Sequence, residues 1–269
     1  MSKNSKKRRL ARSAVLAAAL GALLVADNIR VDIEKIQVDL DKLPAEFNGF
    51  CIAHLSDLHL PNCVRRPDRL VEVVRKINPD IIALTGDLVD RFSRFDAEGL
   101  RSLAQGLAGI APCYAVTGNH EIMSGAVGEW SSILKSAGVT VLGKSPVLIR
   151  RGEAEISLVG LPDGRVFGLT DYEKGTVMVA LSHYPENISE YADFGFDLVL
   201  SGHAHGGQWR LGRRGLVSPG QGLLPKYTSG LYAAGDTKMV VSRGLRNGVP
   251  VRIFNSPHIP VVILKSGGE

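Results

Sequence analysis

Five short apolar runs in this chain break off at polar clusters: Asp57-Leu58-His59, Gly86-Asp87, Gly118-Asn119-His120-Glu121, Ser182-His183 and Gly202-His203-Ala204-His205. Six of the seven histidines (His54, His59, His120, His183, His203 and His205) lie in or beside these clusters. Imidazole, carboxylate and carboxamide together suit Zn²⁺, Mn²⁺ or Fe, whereas Mg²⁺ and Ca²⁺ prefer oxygen donors alone. In Asp-x-His and His-x-His, alternate residues of an extended segment face the same way, so each pair can grip one ion. The candidate ligands are Asp57, His59, Asp87, Asn119, His183, His203 and His205. Seven exceed the four that one zinc needs, and two ions sharing a bridging carboxylate account for the number. The glycines before Asp87, Asn119 and His203 are expected to let the backbone turn sharply as it leaves each strand.

Residues 30–40 alternate apolar and polar, as a half-buried strand does. Residues 50–55 and 81–85 are short apolar strands. Between them a helix opens at Pro67 and stops at Asn78-Pro79. Helices are predicted over 97–107 and 127–137, around a strand over 113–117 that runs into Gly118-Asn119. Short strands follow near Val141, Leu148 and 156–159. Strands over 177–181 and 197–200 flank a short helix at 188–191 and run into His183 and His203. The last part, with 239–242, 249–254 and 260–264, reads as β-rich. This order predicts a layered α/β domain with helices outside two central sheets. Ligands of such sheets bind beyond the carboxyl ends of the strands, where the polar clusters are.

These blocks, in this order over 57–205, resemble the calcineurin-like metallophosphoesterase superfamily. The resemblance implies a four-layer α/β/β/α sandwich with two mixed sheets. It also implies that Asp57, His59 and His205 hold one metal, that Asn119, His183 and His203 hold the other, and that Asp87 bridges them. His120 is then the catalytic acid beside the phosphate. The implied reaction is hydrolysis of a phosphate ester: a hydroxide held between two ions about 3.5–4 Å apart attacks phosphorus in line with the leaving group. Two departures, Glu121 where Asp is commoner and Ala204 where Thr is commoner, bear on subfamily rather than on chemistry. The Gly-His-Ala-His-Gly-Gly-Gln run and the N-terminal leader look like a membrane-linked or exported bacterial branch. That branch points to a lipid-linked pyrophosphate such as UDP-2,3-diacylglucosamine, with a general phosphodiesterase or phosphomonoesterase as the alternative. A metal-binding scaffold without turnover is disfavoured, because all seven ligands and His120 are present.

The bulk numbers narrow the partners. The net charge is +5, but Lys3, Lys6, Lys7, Arg8, Arg9 and Arg12 carry +6, so the remainder is near neutral at −1. A nucleic-acid-binding domain should be basic within its fold, and none is expected here. The uncharged stretch 13–26 reaches roughly 21 Å as a helix, short of a ~30 Å hydrocarbon core. It fits the apolar region of a signal sequence, although small residues are poorly placed for cleavage, and it also fits an uncleaved anchor. Arg8-Arg9 matches a twin-arginine signal only loosely. Residues 1–29 are therefore read as a targeting or membrane-anchor segment on the bacterial inner membrane, with either face open, and 30–269 as the catalytic domain.

The remaining polar residues have plainer readings. His54, inside a strand, is expected to be structural, and His258, between Pro257 and Pro260, a surface loop residue. Asp90 is either a support for a ligand or part of an exposed turn. Arg65, Arg66, Lys226, Arg243 and Arg246 are available to an anionic substrate or are ordinary surface charges. Three cysteines without a C-x-x-C pair predict no disulfide framework, and Cys51 and Cys113 are expected in the core.

Overall fold

The computed structural model describes residues 3–169, 175–246 and 251–267. Its first element, α1 (Lys3–Ile29), exposes the side chains of residues 12–19. Among the described residues, no helix is long and apolar enough to cross a membrane. The end of α1 is tied down, because Asn28 Nδ2 donates to the Arg252 carbonyl (2.8 Å) and Asn28 Oδ1 accepts from the Arg252 N–H (2.8 Å).

Two six-stranded mixed sheets follow. The first contains β1 (Asp32–Leu40), β2 (Cys51–Leu55), β3 (Ile81–Thr85), β4 (Cys113–Val116), β5 (Thr140–Val141) and β16 (His258–Ser266), in the order β1-β16-β2-β3-β4-β5. The second contains β6 (Val147–Arg151), β7 (Ala154–Leu161), β8 (Met178–Ser182), β9 (Leu198–Ser201), β14 (Gly230–Ala234) and β15 (Thr237–Val241), in the order β14-β15-β9-β8-β7-β6. β2, β3, β4 and β5 run parallel, as do β7, β8, β9 and β15. β3, β8 and β9 are buried along their whole length, as strands covered on both faces must be.

The two sheets pack face to face through Val38, Ile52, Ile81, Val116, Leu158, Val179, Leu200 and Val262, among others. The outer face of the first is covered by α2 (Pro67–Ile77), α3 (Ala97–Ala108) and α5 (Val127–Ser136), using Leu70, Val74, Leu103, Trp130 and Leu134. The outer face of the second is covered by α6 (Ile188–Phe194) through Ile188 and Tyr191. The four layers are therefore α/β/β/α, as the resemblance implies. The helix boundaries obey local chemistry. Pro67 opens α2, and Asn78 in the left-handed region (φ 53°) closes it before Pro79. Asp96 caps α3 by accepting from the Gly99 N–H (2.9 Å).

Three local readings change. Residues 251–254 form no strand, only a single bridge from Ile253 to Trp209; 249 and 250 lie outside the described residues. Cys51 is half-buried while Cys113 lies in the core, and all three cysteines are free. His258 is not in a surface loop: it is the first residue of β16 and is fully buried. Pro260 misled the sequence reading, but it precedes the stretch of β16 that pairs with β2, so no hydrogen bond to that strand is lost.

His54 is also fully buried, with Nε2 2.8 Å from Thr85 Oγ1. Burial lowers its pKa to about 3, helped by nearby His258, which burial lowers to about 4. The unfolded chain takes up these protons near pH 6.5 and the folded chain does not. Stability is thus fully present above pH 6.5 and lost as the pH falls toward these values. For chelator-treated protein, His54 alone should remove about 2 kcal/mol between pH 7.5 and pH 5. Urea midpoints should show this fall, and His54→Gln should flatten it.

Candidate metal centre

Each polar cluster follows the carboxyl end of a strand: β2, β3 and β4 in the first sheet, β8 and β9 in the second. The clusters meet because backbone and side chains stitch them together. The Asp57 N–H donates to the Gly86 carbonyl (3.1 Å) and the His59 N–H to that of Asp87 (2.9 Å). Asp57 accepts from the His203 N–H (3.1 Å to Oδ1), and Asp87 Oδ1 accepts from the His120 N–H (2.8 Å). Asn255, missed in the sequence, donates from Nδ2 to the carbonyls of His205 (2.8 Å) and Gln208 (3.1 Å).

Among the described residues, nine non-glycine residues have positive φ, and five of them are Asp57, His59, Asp87, His203 and His205. Such backbone costs roughly 1–3 kcal/mol per residue and gathers at functional sites, where the surroundings enforce it. It turns side chains from two sheets toward one point. The glycines work differently from expectation. Gly86 does adopt a positive φ (87°), but Gly118 and Gly202 do not. They are needed for space: a Cβ on Gly118 would strike the Asp87 carboxylate, and one on Gly202 would strike Ser56 and Asp57.

The donor atoms fall into groups. Asp57, His59 and His205 place one ligand atom each within 4.8 Å of one another, and so do Asp87, His183 and His203. Asp87 Oδ2 lies between the groups, 3.2 Å from His183 Nε2 and 3.7 Å from His59 Nε2. His59 Nε2 and His205 Nε2 are 3.3 Å apart, and His183 Nε2 and His203 Nδ1 are 3.2 Å apart. Asn119 Oδ1 is buried with no hydrogen-bond partner. His120 stands at the edge, with Nε2 3.9 Å from Asp87 Oδ2.

These side chains fit a pair of cations. Burial lowers the pKa of His59 and of His203 to about 3 and that of His205 well below its ordinary value, so all three imidazoles are neutral with lone pairs available. Asp57 is pushed up to about 6 by burial. Burial also opposes charge on His183, yet Asp87 and Asp57 beside it raise its pKa to about 10. His183 Nδ1 lies 2.7 Å from the Thr85 carbonyl and can donate its proton there, so Nε2 faces Asp87. A buried imidazole whose proton affinity is raised by two flanking carboxylates marks where the pocket demands positive charge. A lone pair of Asn119 aimed at nothing and two close pairs of imidazole nitrogens make the same demand.

Sequence reasoning left Asp90 open and gave Glu121 no task. Asp90 is buried, with Oδ1 3.2 Å from His120 Nδ1; it also accepts from Asn62 (2.8 Å) and faces Arg246 (3.7 Å). Of the other basic side chains singled out in the sequence, Arg243 is taken up by Asp32 (2.6 Å) rather than by the pocket. Glu121 is wholly buried and accepts from three backbone N–H groups: Asp87 (2.8 Å), Gly118 (2.7 Å) and Val89 (3.1 Å). It therefore holds the Asp87 loop against the start of α4 (Asn119–Ser124). Glu121→Ala would strand these donors, and we expect a loss of about 3 kcal/mol, or roughly 10 °C in Tm. Thermal unfolding followed by circular dichroism checks this, with Glu121→Asp losing less.

Comparison with known proteins agrees with this geometry. The family pattern described as calcineurin-like phosphoesterase matches residues 51–207. A Danio rerio "Transmembrane protein with metallophosphoesterase domain" is 31% identical, over 86% of this chain and 56% of its own. "Phosphodiesterase YaeI" of Escherichia coli is 30% identical, over 80% of this chain and 82% of its own. "UDP-2,3-diacylglucosamine pyrophosphatase LpxG" of Chlamydia trachomatis is 27% identical, over 84% and 87%. With a family match across more than half its length, ending just past the last of the clustered histidines, this chain belongs to the calcineurin-like phosphoesterases and is a hydrolase of phosphate esters.

Proposed function

We propose that the chain cleaves a phosphodiester or pyrophosphate bond in a lipid-linked substrate, with two divalent ions, Mn²⁺, Zn²⁺ or Fe, in the clustered pocket. Asp57, His59 and His205 hold one ion; Asn119, His183 and His203 hold the other; Asp87 serves both. The carrying observation is the position of Asp87 Oδ2 between two groups of buried donors. When bound, the ions supply an acidified water and offset the charge of the phosphoryl oxygens.

The protein supplies the rest. Thr85 and Asp87 orient His183, and Asn255 anchors the loop that carries His205. As the neutral ring, His120 accepts at Nδ1 from the Arg91 N–H (3.1 Å); once protonated there it turns Nδ1–H to Asp90 Oδ1 (3.2 Å) and keeps Nε2–H to donate to the departing oxygen. Asp90, on the Nδ1 side, supports positive charge on that ring. His120, His203 and His205 keep slight contact with solvent and lie at the mouth.

Residues 30–269 form the catalytic unit and residues 1–29 tether it to the bacterial inner membrane. The basic-then-apolar leader supports the tether, as does a relative named as a transmembrane protein. Two relatives, named as a phosphodiesterase and a UDP-2,3-diacylglucosamine pyrophosphatase, support the bond type.

The test is metal analysis of purified protein joined to a substrate panel with Mn²⁺, Zn²⁺ or Mg²⁺ added separately. Two ions per chain, turnover of bis-(4-nitrophenyl) phosphate over 4-nitrophenyl phosphate, and loss of turnover on chelation are expected. Preference for the monoester would overturn the bond assignment. Two ions without turnover of any ester would leave a metal-binding scaffold.

A further inference from the structure

Past the metal cluster the chain forms two small hairpins, β10 (Arg210–Leu211) with β11 (Arg214–Gly215) and β12 (Val217–Ser218) with β13 (Gly222–Leu223). Leu211, Leu223 and Leu224 are 77%, 80% and 74% exposed, and Phe254 is 67% exposed. Trp209 Nε1 donates to the Val251 carbonyl (2.9 Å) and the Arg210 N–H to that of Ile253 (2.9 Å). The Leu216 N–H donates to the Trp209 carbonyl (2.9 Å) and the Leu224 N–H to that of Leu216 (2.9 Å), so the hairpins and the Phe254 segment are bonded side by side. An apolar face of this kind on a soluble surface marks an interaction site. Leu224 and Phe254 also have positive φ, 52° and 53°. Bulky side chains in that region are strained, here while projecting into solvent rather than into a core.

The charge pattern selects the occupant. Arg213, Arg214 and Lys226 are exposed among these apolar residues, and the sequence holds no Asp or Glu between His205 and Gly235. The face has two useful neighbours. The β12–β13 turn reaches the metal pocket, where a Cβ on Gly220 would lie 3.2 Å from His203 Nε2 and strike Glu186. The end of α1 is bonded through Asn28 to Arg252, next to Val251.

We propose that this face, residues 209–224 with Val251 and Phe254, beds into the headgroup region of an anionic lipid bilayer and sets the mouth of the metal pocket against phosphates at that surface. The leucines enter the acyl boundary while Arg213, Arg214 and Lys226 meet lipid phosphates. The substrate side of this inference rests on the lipid-linked reading above; the docking itself does not.

Trp209 provides the test, because Trp130, the other tryptophan, is fully buried in the core. The full chain is mixed with phosphatidylglycerol vesicles carrying brominated acyl chains, and with brominated phosphatidylcholine vesicles as comparison. Emission should shift to the blue and be quenched, more with phosphatidylglycerol, and Trp209→Phe should abolish the quenching. The pair Leu211→Asp and Leu223→Asp should weaken it at least about fivefold. Unchanged quenching in that double variant would mean that α1 alone carries the chain to lipid, and would overturn the inference. So would co-sedimentation with an unquenched Trp209, or self-association lost in the double variant without quenching, which would assign the face to a second copy. Turnover of soluble bis-(4-nitrophenyl) phosphate, read in parallel, reports on the phosphodiester reading separately.

Discussion

Asp87→Asn is expected to lose turnover and metal together: kcat/KM falls by at least about a thousandfold, near 4 kcal/mol, and fewer than two ions remain per chain. The amide keeps the shape and can still accept the His120 N–H, but it removes the negative charge that lies between His183 (3.2 Å) and His59 (3.7 Å). It also sets a neutral amide 3.2 Å from His183, whose raised pKa depends chiefly on that carboxylate. Elemental analysis beside a bis-(4-nitrophenyl) phosphate assay on the same sample checks this, with circular dichroism to show that the variant folds. Two retained ions and activity within tenfold of the parent would remove Asp87 from its shared role.

His120→Ala should separate what Asp87→Asn joins. His120 lies outside the group of Asp57, His59 and His205 and that of Asp87, His183 and His203, though it meets His59 and Asp90 in a third. Both ions should stay bound while kcat drops by about 10²–10⁴. Asp90→Asn should act in the same direction but more weakly, about tenfold, because it only supports the Nδ1 side of the ring. If elemental analysis shows that His120→Ala sheds an ion, the residue is a ligand and the proton-donor assignment fails. The Asp90 variant also tests orientation: a lower kcat at constant KM fits a positioning residue, whereas a changed KM alone does not.

The strand-end clusters that come together and the layer order were legible in the sequence for a physical reason. Buried parallel strands read as unbroken apolar runs, and Asp57, Asp87, Asn119, His183 and His203 stand where such runs stop. What supports the ligands was far less legible. Glu121 looks like a neutral variation until its carboxylate is seen gathering three N–H groups, and Asn255 lies 50 residues from the His205 carbonyl that it holds. Left-handed backbone at His59 or His203 carries no compositional mark, since glycine is the usual occupant of that region. His258 was misplaced because two prolines suggest a loop, and only the pairing with β1 shows a strand.

The place of β16 has a consequence for biogenesis. This strand lies between β1 and β2, so two segments near the start of the fold stay apart until residues 258–266 slot between them. β2 leads directly to Asp57, whose carbonyl accepts from the Leu245 N–H. A nascent chain whose residues 258–266 are still inside the ribosome lacks the strand that joins β1 to β2. Ion capture should therefore wait for residues 258–266 to dock between β1 and β2.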